Sequence, residues 1–220
     1  MDNRTAKDFW TDHSTSLDET LFPKELIEFL RAEEGRIRQY CQEKKPKLVL
    51  EAGCGRGRII EVISPYCKQV RGVDYSPAMA RFSTKKFRDN PQIKIYQEDI
   101  SQMHFPNNSF DLGILAFNTI GNTNTNKEKV LLELKRVLKP DAEMLISAYS
   151  EHSKAVQLDI YKRLGLDILK EENNRVYTRE GLVSQRFSKT DLEAWMQVCG
   201  LRGNIDSLTK IGYFVIARGG

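Results

Sequence analysis

The sequence predicts an α/β fold in which a largely parallel sheet carries helices on both faces. From Lys47 onward, short apolar runs typical of buried strands alternate with segments whose apolar residues recur at helical spacing. Strands and helices that alternate in this way build a doubly wound sheet, because each helix crosses one face on its way to the next strand. The predicted elements are strand 47–52, helix 57–64, strand 70–74, helix 77–87, strand 93–98, strand 110–116, helix 126–138 and strand 143–149.

Segments with different patterns precede and follow this core. Residues 1–45 form a charged, helical lead-in, and residues 151–188 are a charged insertion with two short candidate strands. Residues 189–220 begin as a helix, for which Gly200 is the stop signal, and close as a hairpin of two strands. The sequence therefore predicts one domain for the whole chain, with a core at 46–150 framed by these added segments.

Composition and charge narrow the class of protein. The formal net charge is only +4, with 34 basic and 30 acidic side chains interspersed, whereas nucleic-acid binders usually concentrate basic residues on one face. No run approaches the ~20 apolar residues that span a bilayer, and the start of the sequence lacks the apolar stretch of a secretory signal. The four cysteines show no metal-ligand spacing. We expect a cytoplasmic protein without a metal, a membrane partner or a nucleic-acid partner, and its oligomeric state stays open.

The first predicted strand runs into a glycine-rich loop. Glu51 ends the apolar run, and three glycines follow at every second position before a helical pattern begins, namely Gly53, Gly55 and Gly57. Glycines permit backbone angles closed to other residues and leave no side chain in the way, so bare backbone N–H groups can meet a ligand. The helix N-terminus adds a partial positive charge. This pattern predicts the cradle of a nucleotide-type ligand.

Two further acidic residues are predicted at the ends of neighbouring strands. Asp74 ends the second strand, where a carboxylate can accept hydrogen bonds from both hydroxyls of a ribose. Asp99 follows the third strand, where it can accept a hydrogen bond from the exocyclic amine of an adenine while Ile100 covers the ring. Because ligands of parallel sheets bind at the carboxyl ends of the strands, these carboxylates should converge with Glu51 and Asn118 on one site.

Five blocks of the sequence occur in a fixed order within residues 46–150: Glu51–Gly57, Val73–Met79, Asp99–Ile100, Phe105–Asp111 and Leu134–Pro140. In this order they resemble the motifs of the class I S-adenosylmethionine-dependent methyltransferases. The resemblance implies a Rossmann-like sheet of seven strands with the last one antiparallel, and an insertion for substrate recognition before the last helix. It also implies S-adenosylmethionine as the cofactor.

The resemblance implies a set of cofactor-binding residues. S-adenosylmethionine is net cationic and has no pyrophosphate, so carboxylates around it complement its charge and accept from its hydroxyl and amine donors. A dinucleotide-dependent dehydrogenase would share the glycine loop, but the carboxylate directly before the loop would repel a pyrophosphate. The residues are Glu51, Gly53, Cys54, Gly55, Gly57, Arg58, Asp74, Tyr75, Met79, Glu98, Asp99, Ile100, Phe117 and Asn118.

The implied activity is methyl transfer to an N or O nucleophile of a small molecule. The lead-in and the insertion are too short for a macromolecule-binding domain, and their charges are mixed in sign. One alternative is a methyltransferase acting on RNA or protein, which would normally show a basic stripe or a catalytic signature after the fourth strand. Another is a non-catalytic partner subunit, whose usual sign is erosion of the glycine loop.

The catalytic residue stays open at this stage. Asn118 follows the fourth strand, where the family places residues beside the methyl group, although turns rich in Asn and Thr are common. His152 follows the fifth strand at its ligand-bearing end, and His13 lies in the lead-in. Either histidine could act as a general base, and a solvated or structural role is the alternative for both.

Overall fold

A seven-stranded sheet forms the centre of the protein. The computed structural model describes residues 6–12, 19–123 and 127–220. A second, three-stranded sheet stands beside the first. The strands are β1 (Leu48–Ala52), β2 (Gln69–Asp74), β3 (Ile93–Gln97), β4 (Phe110–Leu115), β5 (Leu138–Tyr149), β6 (Ile168–Glu172), β7 (Arg175–Thr178), β8 (Val183–Gln185), β9 (Leu201–Thr209) and β10 (Gly212–Gly219).

The order of the large sheet is β3-β2-β1-β4-β5-β10-β9. The first five strands pair in parallel, whereas β10 runs antiparallel to both of its neighbours, β5 and β9. The order reverses at β1, which has β2 on one side and β4 on the other. The predicted seven-stranded sheet with an antiparallel last strand is confirmed.

Helices cover both faces of this sheet. Because β1 alternates its side chains, Val49 faces an apolar cluster that includes the helix residues Ile37 and Ile60. Leu50 faces the other cluster, which includes the helix residues Leu134 and Leu192. None of the helices in the described ranges has the length and apolar character that a bilayer-spanning helix requires. The helices are α1 (Ala6–Asp12), α2 (Lys24–Lys44), α3 (Arg58–Ile63), α4 (Pro77–Lys86), α5 (Thr119–Asn122), α6 (Lys127–Val137), α7 (Lys154–Arg163) and α8 (Lys189–Val198).

The lead-in and the insertion share a third apolar cluster. Phe9, Phe22 and Phe29 of the lead-in are buried together with Tyr161 and Leu182 of the insertion. The rings of Phe29 and Tyr149, the last residue of β5, lie 5.7 Å apart. This cluster fastens both added segments to the carboxyl end of β5, so they stand over the end of the sheet where ligands of parallel sheets bind.

The predicted closing helix and hairpin are confirmed. Ser188 caps α8 through a reciprocal capping box with Asp191, and Gly200 ends the helix with a left-handed φ of +60°. The sequence prediction missed α7 and β6. Strand β6 is a mostly exposed edge strand rich in charge, and Gln157 takes a buried position on α7, so neither shows the usual apolar period. Strand β5 also begins at Leu138 rather than at residue 143.

Candidate functional site

A cavity of about 400 Å³ opens at the point where the strand order reverses. Parallel sheets bind ligands at such a switch point. The volume falls within the ~300–1,000 Å³ that small-molecule pockets occupy. Most of the cofactor residues expected from the sequence line it: Glu51, Gly53, Cys54, Gly55, Arg58, Asp74, Tyr75, Met79, Asp99, Ile100 and Phe117.

The backbone of the glycine loop lies at the wall of this cavity, but its N–H groups are not free to bind a ligand. Gly53 and Cys54 donate their N–H groups to the Val73 carbonyl at 2.7 and 2.9 Å, and Gly55 donates to Asp74 Oδ2 at 2.8 Å. The expectation that bare N–H groups of these residues meet the ligand is therefore wrong. Gly55 has a φ of +50°, and a Cβ there would find no non-neighbouring atom within 4 Å, so the missing side chain leaves open space in the cavity wall.

Glu51 is the most deeply buried of the three carboxylates that line the cavity. Its side chain ends β1, and the residue is only 3% exposed. Burial raises its pKa well above the usual glutamate range, although the positive charge of Arg58 acts in the opposite direction. Its Oε2 atom has no hydrogen-bond partner among the described residues. A buried oxygen of this kind requires a donor, and a cationic ligand in the cavity would supply one.

Asp74 is buried and held in one orientation by the backbone. Its Oδ1 accepts from the Ser76 N–H at 2.9 Å, and its Oδ2 accepts from Gly55. Burial raises the pKa of this carboxyl group, because it outweighs the two hydrogen bonds. Each oxygen keeps a lone pair for a further donor. Asp99 is fixed more loosely, through one hydrogen bond from the Ser101 N–H at 2.8 Å.

A buried ion pair joins the lead-in helix α2 to the glycine-loop helix α3. The carboxylate of Glu33 is fully buried and accepts from the guanidinium of Arg58, from the hydroxyl of Ser147 and from the Phe117 N–H. Arg58 also donates to Glu34 at 2.8 Å, and its guanidinium lies 5.7 Å from the centre of the Phe117 ring. This network fixes two residues of the cavity wall, Arg58 and Phe117.

The sequence carried a signal for Glu33 that the sequence interpretation did not use. Buried residues on α2 recur at helical spacing, as Leu26, Leu30, Glu33, Ile37 and Cys41. A glutamate within such an apolar stripe indicates a buried charge that needs a partner. Its partner is not predictable from local pattern, because Arg58 belongs to another helix.

Three of the expected cofactor residues do not line the cavity. Gly57 packs against the Phe87 ring, and the carboxylate of Glu98 pairs with His104. Asn118 is 1% exposed and its side chain is bonded at both ends: Nδ2 donates to Ser184 Oγ and to the Gln185 carbonyl, each at 3.2 Å, and Oδ1 accepts from the Tyr149 N–H at 3.0 Å. Asn118 is thus a clamp between β4, β5 and β8, and its placement argues against a catalytic role.

The histidine candidate that the structure describes, His152, is not brought to the cavity either. The side chain of His152 is 73% exposed, with Nε2 3.9 Å from a Glu151 oxygen, and the residue does not line the cavity. It follows β5 as expected, but the backbone there turns into a short 3₁₀ helix that directs it to solvent. His13 lies outside the described residues.

Residues of the lead-in and of α5 complete the cavity, and the sequence interpretation did not single them out. Trp10, Phe22 and Leu30 come from the lead-in, and Asn122 comes from α5. They carry no family motif, and they converge on the cofactor residues only because the third apolar cluster packs the lead-in over the sheet. The cavity therefore has an acidic part at the ends of the strands and an apolar, largely aromatic part beneath the lead-in.

Comparison with known proteins identifies the class. Residues 50–146 match the family model of a methyltransferase domain. The chain is 31% identical over 99 residues to the ubiquinone/menaquinone biosynthesis C-methyltransferase UbiE of Idiomarina loihiensis, which covers 44% of this chain and 39% of the relative. It is 24% identical over 123 residues to an rRNA adenine N-6-methyltransferase of Escherichia coli, which covers 56% of this chain and 47% of the relative. The chain thus spans less than half the length of these curated relatives.

The fold comparison agrees. The 1,6-didemethyltoxoflavin-N1-methyltransferase of Burkholderia thailandensis, solved with S-adenosylhomocysteine, superposes with a TM-score of 0.70 at 14% identity, over 97% of this chain and 86% of that chain. Residues 50–146 thus match a methyltransferase domain, and the chain has the fold of a methyltransferase that was solved with S-adenosylhomocysteine. The cofactor of this class is S-adenosylmethionine.

The residues of the cavity fit this cofactor. Its ammonium and sulfonium groups suit the three carboxylates of the site, and the buried Glu51 oxygen still lacks a donor. A phosphate-binding loop needs free N–H groups, and here the loop N–H groups of Gly53, Cys54 and Gly55 are already bonded within the protein. The donor set therefore suits a ligand without a pyrophosphate, as the sequence predicted.

Proposed function

We propose that the protein transfers the methyl group of S-adenosylmethionine to an N or O nucleophile of a small molecule. The observation that carries the proposal is that side chains of the lead-in enclose the cavity. Trp10 and Phe22 of the lead-in line the same cavity as Glu51 and Asp74, so an acceptor must fit beneath a wall of side chains. Such an enclosure suits a small molecule better than a folded macromolecule.

The acidic part of the cavity would hold the cofactor. Asp74, which the backbone already orients, would accept from the ribose hydroxyls, and Asp99 would accept from the adenine amine beside Ile100. The positive charge of the bound cofactor would favour the ionised form of Glu51. When bound, S-adenosylmethionine supplies a methyl group that is already activated on a sulfonium, so the reaction is a direct in-line displacement.

The contribution of the protein is alignment and exclusion of water. The ion pair of Glu33 and Arg58 holds the Phe117 backbone, and the Asn118 clamp holds the next residue. Phe117 and Asn118 both have left-handed backbone angles, with φ of +51° and +56°, a strained arrangement that surrounding contacts must maintain. A fixed cavity wall beside the cofactor and the acceptor would keep the reacting atoms in line, and most of the rate gain of such a transfer arises from this alignment.

Isotope transfer tests the proposal directly. The protein is incubated with methyl-labelled S-adenosylmethionine and three separate fractions of a cell extract: small molecules, RNA and protein. We expect label in the small-molecule fraction, attached to nitrogen or oxygen. Label confined to RNA or to protein would contradict the small-molecule part, and label on carbon would contradict the N or O assignment.

A cofactor-site variant gives this experiment its control. Asp74→Ala removes the acceptor for the ribose donors, so we expect cofactor affinity to fall by roughly 10–100-fold, given ~1.5–3 kcal/mol for a charged hydrogen bond. Calorimetry with S-adenosylhomocysteine measures the loss. Asp89→Ala, which changes an exposed carboxylate outside the cavity, is the matched control and should bind normally. Equal affinity of Asp74→Ala and wild type, or tighter binding of NAD than of S-adenosylhomocysteine, would reject the cofactor assignment.

A further inference from the structure

The apolar part of the cavity contributes none of the carboxylates that would hold the cofactor. Trp10, Phe22, Leu30, Phe117 and Val130 line it. The Phe22 and Phe117 rings lie 6.5 Å apart at 35°, and Phe117 meets Tyr149 edge-on at 6.3 Å. These rings form a continuous wall rather than a slot between two parallel faces. An aromatic wall favours a flat, apolar ring as its ligand.

One buried oxygen atom in this part of the cavity lacks a hydrogen-bond donor. The Oδ1 atom of Asn122 is buried and has no hydrogen-bond partner among the described residues. The neighbouring hydroxyls are already donating, Thr119 to the Ala116 carbonyl at 2.7 Å and Thr123 to the Ile120 carbonyl at 2.9 Å. Buried acceptors are nearly always satisfied in proteins, so this oxygen points to a donor supplied by the ligand.

The position of Asn122 is fixed before any ligand arrives. Helix α5 carries it, and the N–H groups of Gly121 and Asn122 both donate to the Asn118 carbonyl, at 2.8 and 3.2 Å. A Cβ at Gly121 would stand 2.6 Å from the Gln185 carbonyl, so α5 lies tightly against β8. Since Asn118 is itself clamped to both neighbouring strands, the backbone that carries the Asn122 side chain is held in place, which lowers the entropy lost when a donor binds.

The insertion limits the size of the space next to the Asn122 side chain. A side pocket of about 40 Å³ shares Trp10, Phe22, Phe117 and Asn122 with the main cavity. Its far side is closed by Tyr161 and Leu182 of the insertion and by other residues of the third apolar cluster. The space admits a small substituent but no second ring.

We infer that Asn122 selects the methyl acceptor, by accepting a hydrogen bond from an N–H or O–H group on a small, flat ring that packs on the Phe22–Phe117 wall. The chemical class is a phenol, an arylamine or a heterocycle with an N–H group. This inference rests on the proposed function, since it names the acceptor class of the same site. Asn122 binds the methyl acceptor. The Asn122 amide takes no proton during the methyl transfer.

A matched pair of probes tests the inference without knowledge of the true acceptor. Fluorine NMR compares 4-fluorophenol with 4-fluorotoluene, in which a methyl group of similar size replaces the hydroxyl, on protein saturated with S-adenosylhomocysteine. We expect the phenol to bind wild type about 3–10-fold more tightly, as one net hydrogen bond allows. Asn122→Leu should abolish this preference, whereas Asn122→Asp keeps acceptor oxygens and should retain it. Asn204→Leu, on the exposed strand β9 outside both cavities, is the control and should behave as wild type.

The outcomes separate this inference from the proposed function. Binding of S-adenosylhomocysteine, measured alone by calorimetry, reports on the cofactor site. Equal binding of the two probes to wild type, or binding of neither, would overturn the inference and leave the cofactor site standing. A preference that survives in Asn122→Leu would also overturn it. The comparison of probes on wild type needs no variant, so a misfolded variant does not obscure the answer.

Discussion

At the residue scale, the strongest constraint acts on Glu51. Burial opposes the ionised form of its carboxyl group, whereas a cationic cofactor favours that form. Two nearby carboxylates, Glu33 and Asp74, raise its pKa further, and Arg58 lowers it only in part. Burial of the ionised Glu51 carboxylate is therefore unfavourable in the free protein, and the bound cofactor offsets that cost. Functional sites often carry groups that lower stability in this way.

Glu51 should release a proton when the cofactor binds. In the free protein its pKa lies well above the ordinary value of 4.5, and a bound positive charge lowers it again. Calorimetry with S-adenosylmethionine in buffers of different ionisation enthalpy measures the release. Glu51→Gln should show less release and weaker binding. Identical buffer dependence for wild type and Glu51→Gln would contradict this.

The raised pKa of Glu51 also predicts how the free energy of unfolding changes with pH. The folded protein favours protonated Glu51, so this contribution to the free energy of unfolding is fully present below about pH 4.5 and is lost as the pH rises through the raised pKa. Above that window, ligand-free Glu51→Gln should be more stable than wild type. Urea unfolding of the two proteins across the pH range measures the difference. A Glu51→Gln protein that is less stable throughout would show that burial of the charge is not the dominant effect.

Gly55 offers a test with a matched control in the same chain. Gly55 and Gly165 both have left-handed backbone angles, with φ of +50° and +72°, and a Cβ at either would find no non-neighbouring atom within 4 Å. Valine at either position should cost similar backbone strain, ~1–2 kcal/mol. Only Gly55→Val places its side chain in the cavity, so only this variant should lose cofactor binding by calorimetry. Normal cofactor uptake by folded Gly55→Val would show that the loop is no more than a turn.

At the scale of elements, α2 does more than cover the sheet. It carries the buried Glu33 that holds Arg58 of α3, the Phe117 backbone and Ser147 of β5. Helix α2 thereby connects three elements around the cavity. Its outer ion pair, Arg36 with Asp206 of β9, lies 2.9 Å apart but is about half exposed, so the two pairs on one helix differ mainly in burial.

The two ion pairs of α2 should contribute very different amounts of stability. Glu33→Ala leaves Arg58 with Glu34 and some solvent, so we expect a loss of about 2–4 kcal/mol in the free energy of unfolding, near the lower end for a broken buried pair. Asp206→Ala breaks the exposed pair and should cost about 0–1 kcal/mol. Urea unfolding measures both. Comparable losses would show that the buried network is not the main connection between α2 and the site.

At the scale of the whole molecule, the cavity divides between two regions. The acidic groups come from the ends of the central strands, and the aromatic wall combines Trp10 and Phe22 of the lead-in with Phe117, which follows β4. The lead-in and the insertion are joined to each other through the third apolar cluster. Cofactor binding and acceptor binding therefore draw on regions of the chain that can be altered separately.

Removal of residues 1–20 should lower turnover far more than cofactor affinity. The deletion removes Trp10 from the cavity wall and Phe9 from the third cluster, while every carboxylate of the site remains. The central sheet should stay folded because none of its strands is touched. Turnover with the acceptor found by isotope transfer, set against calorimetry with S-adenosylhomocysteine, checks the prediction. Full turnover by the trimmed protein would show that the lead-in is not needed to enclose the acceptor.

The sequence by itself determined the strand and helix alternation, the glycine loop and the three carboxylates at strand ends. These features depend on local period and on turn chemistry within a few residues, which a single sequence displays. Only the tertiary structure decided that Asn118 is a clamp, since its partners on β5 and β8 lie more than 30 residues away. It likewise decided that the loop N–H groups are already bonded, and that Trp10 and Asn122 meet at the cofactor cavity. Such contacts arise from the packing of segments distant in sequence, and no local pattern records which distant partner a side chain will find.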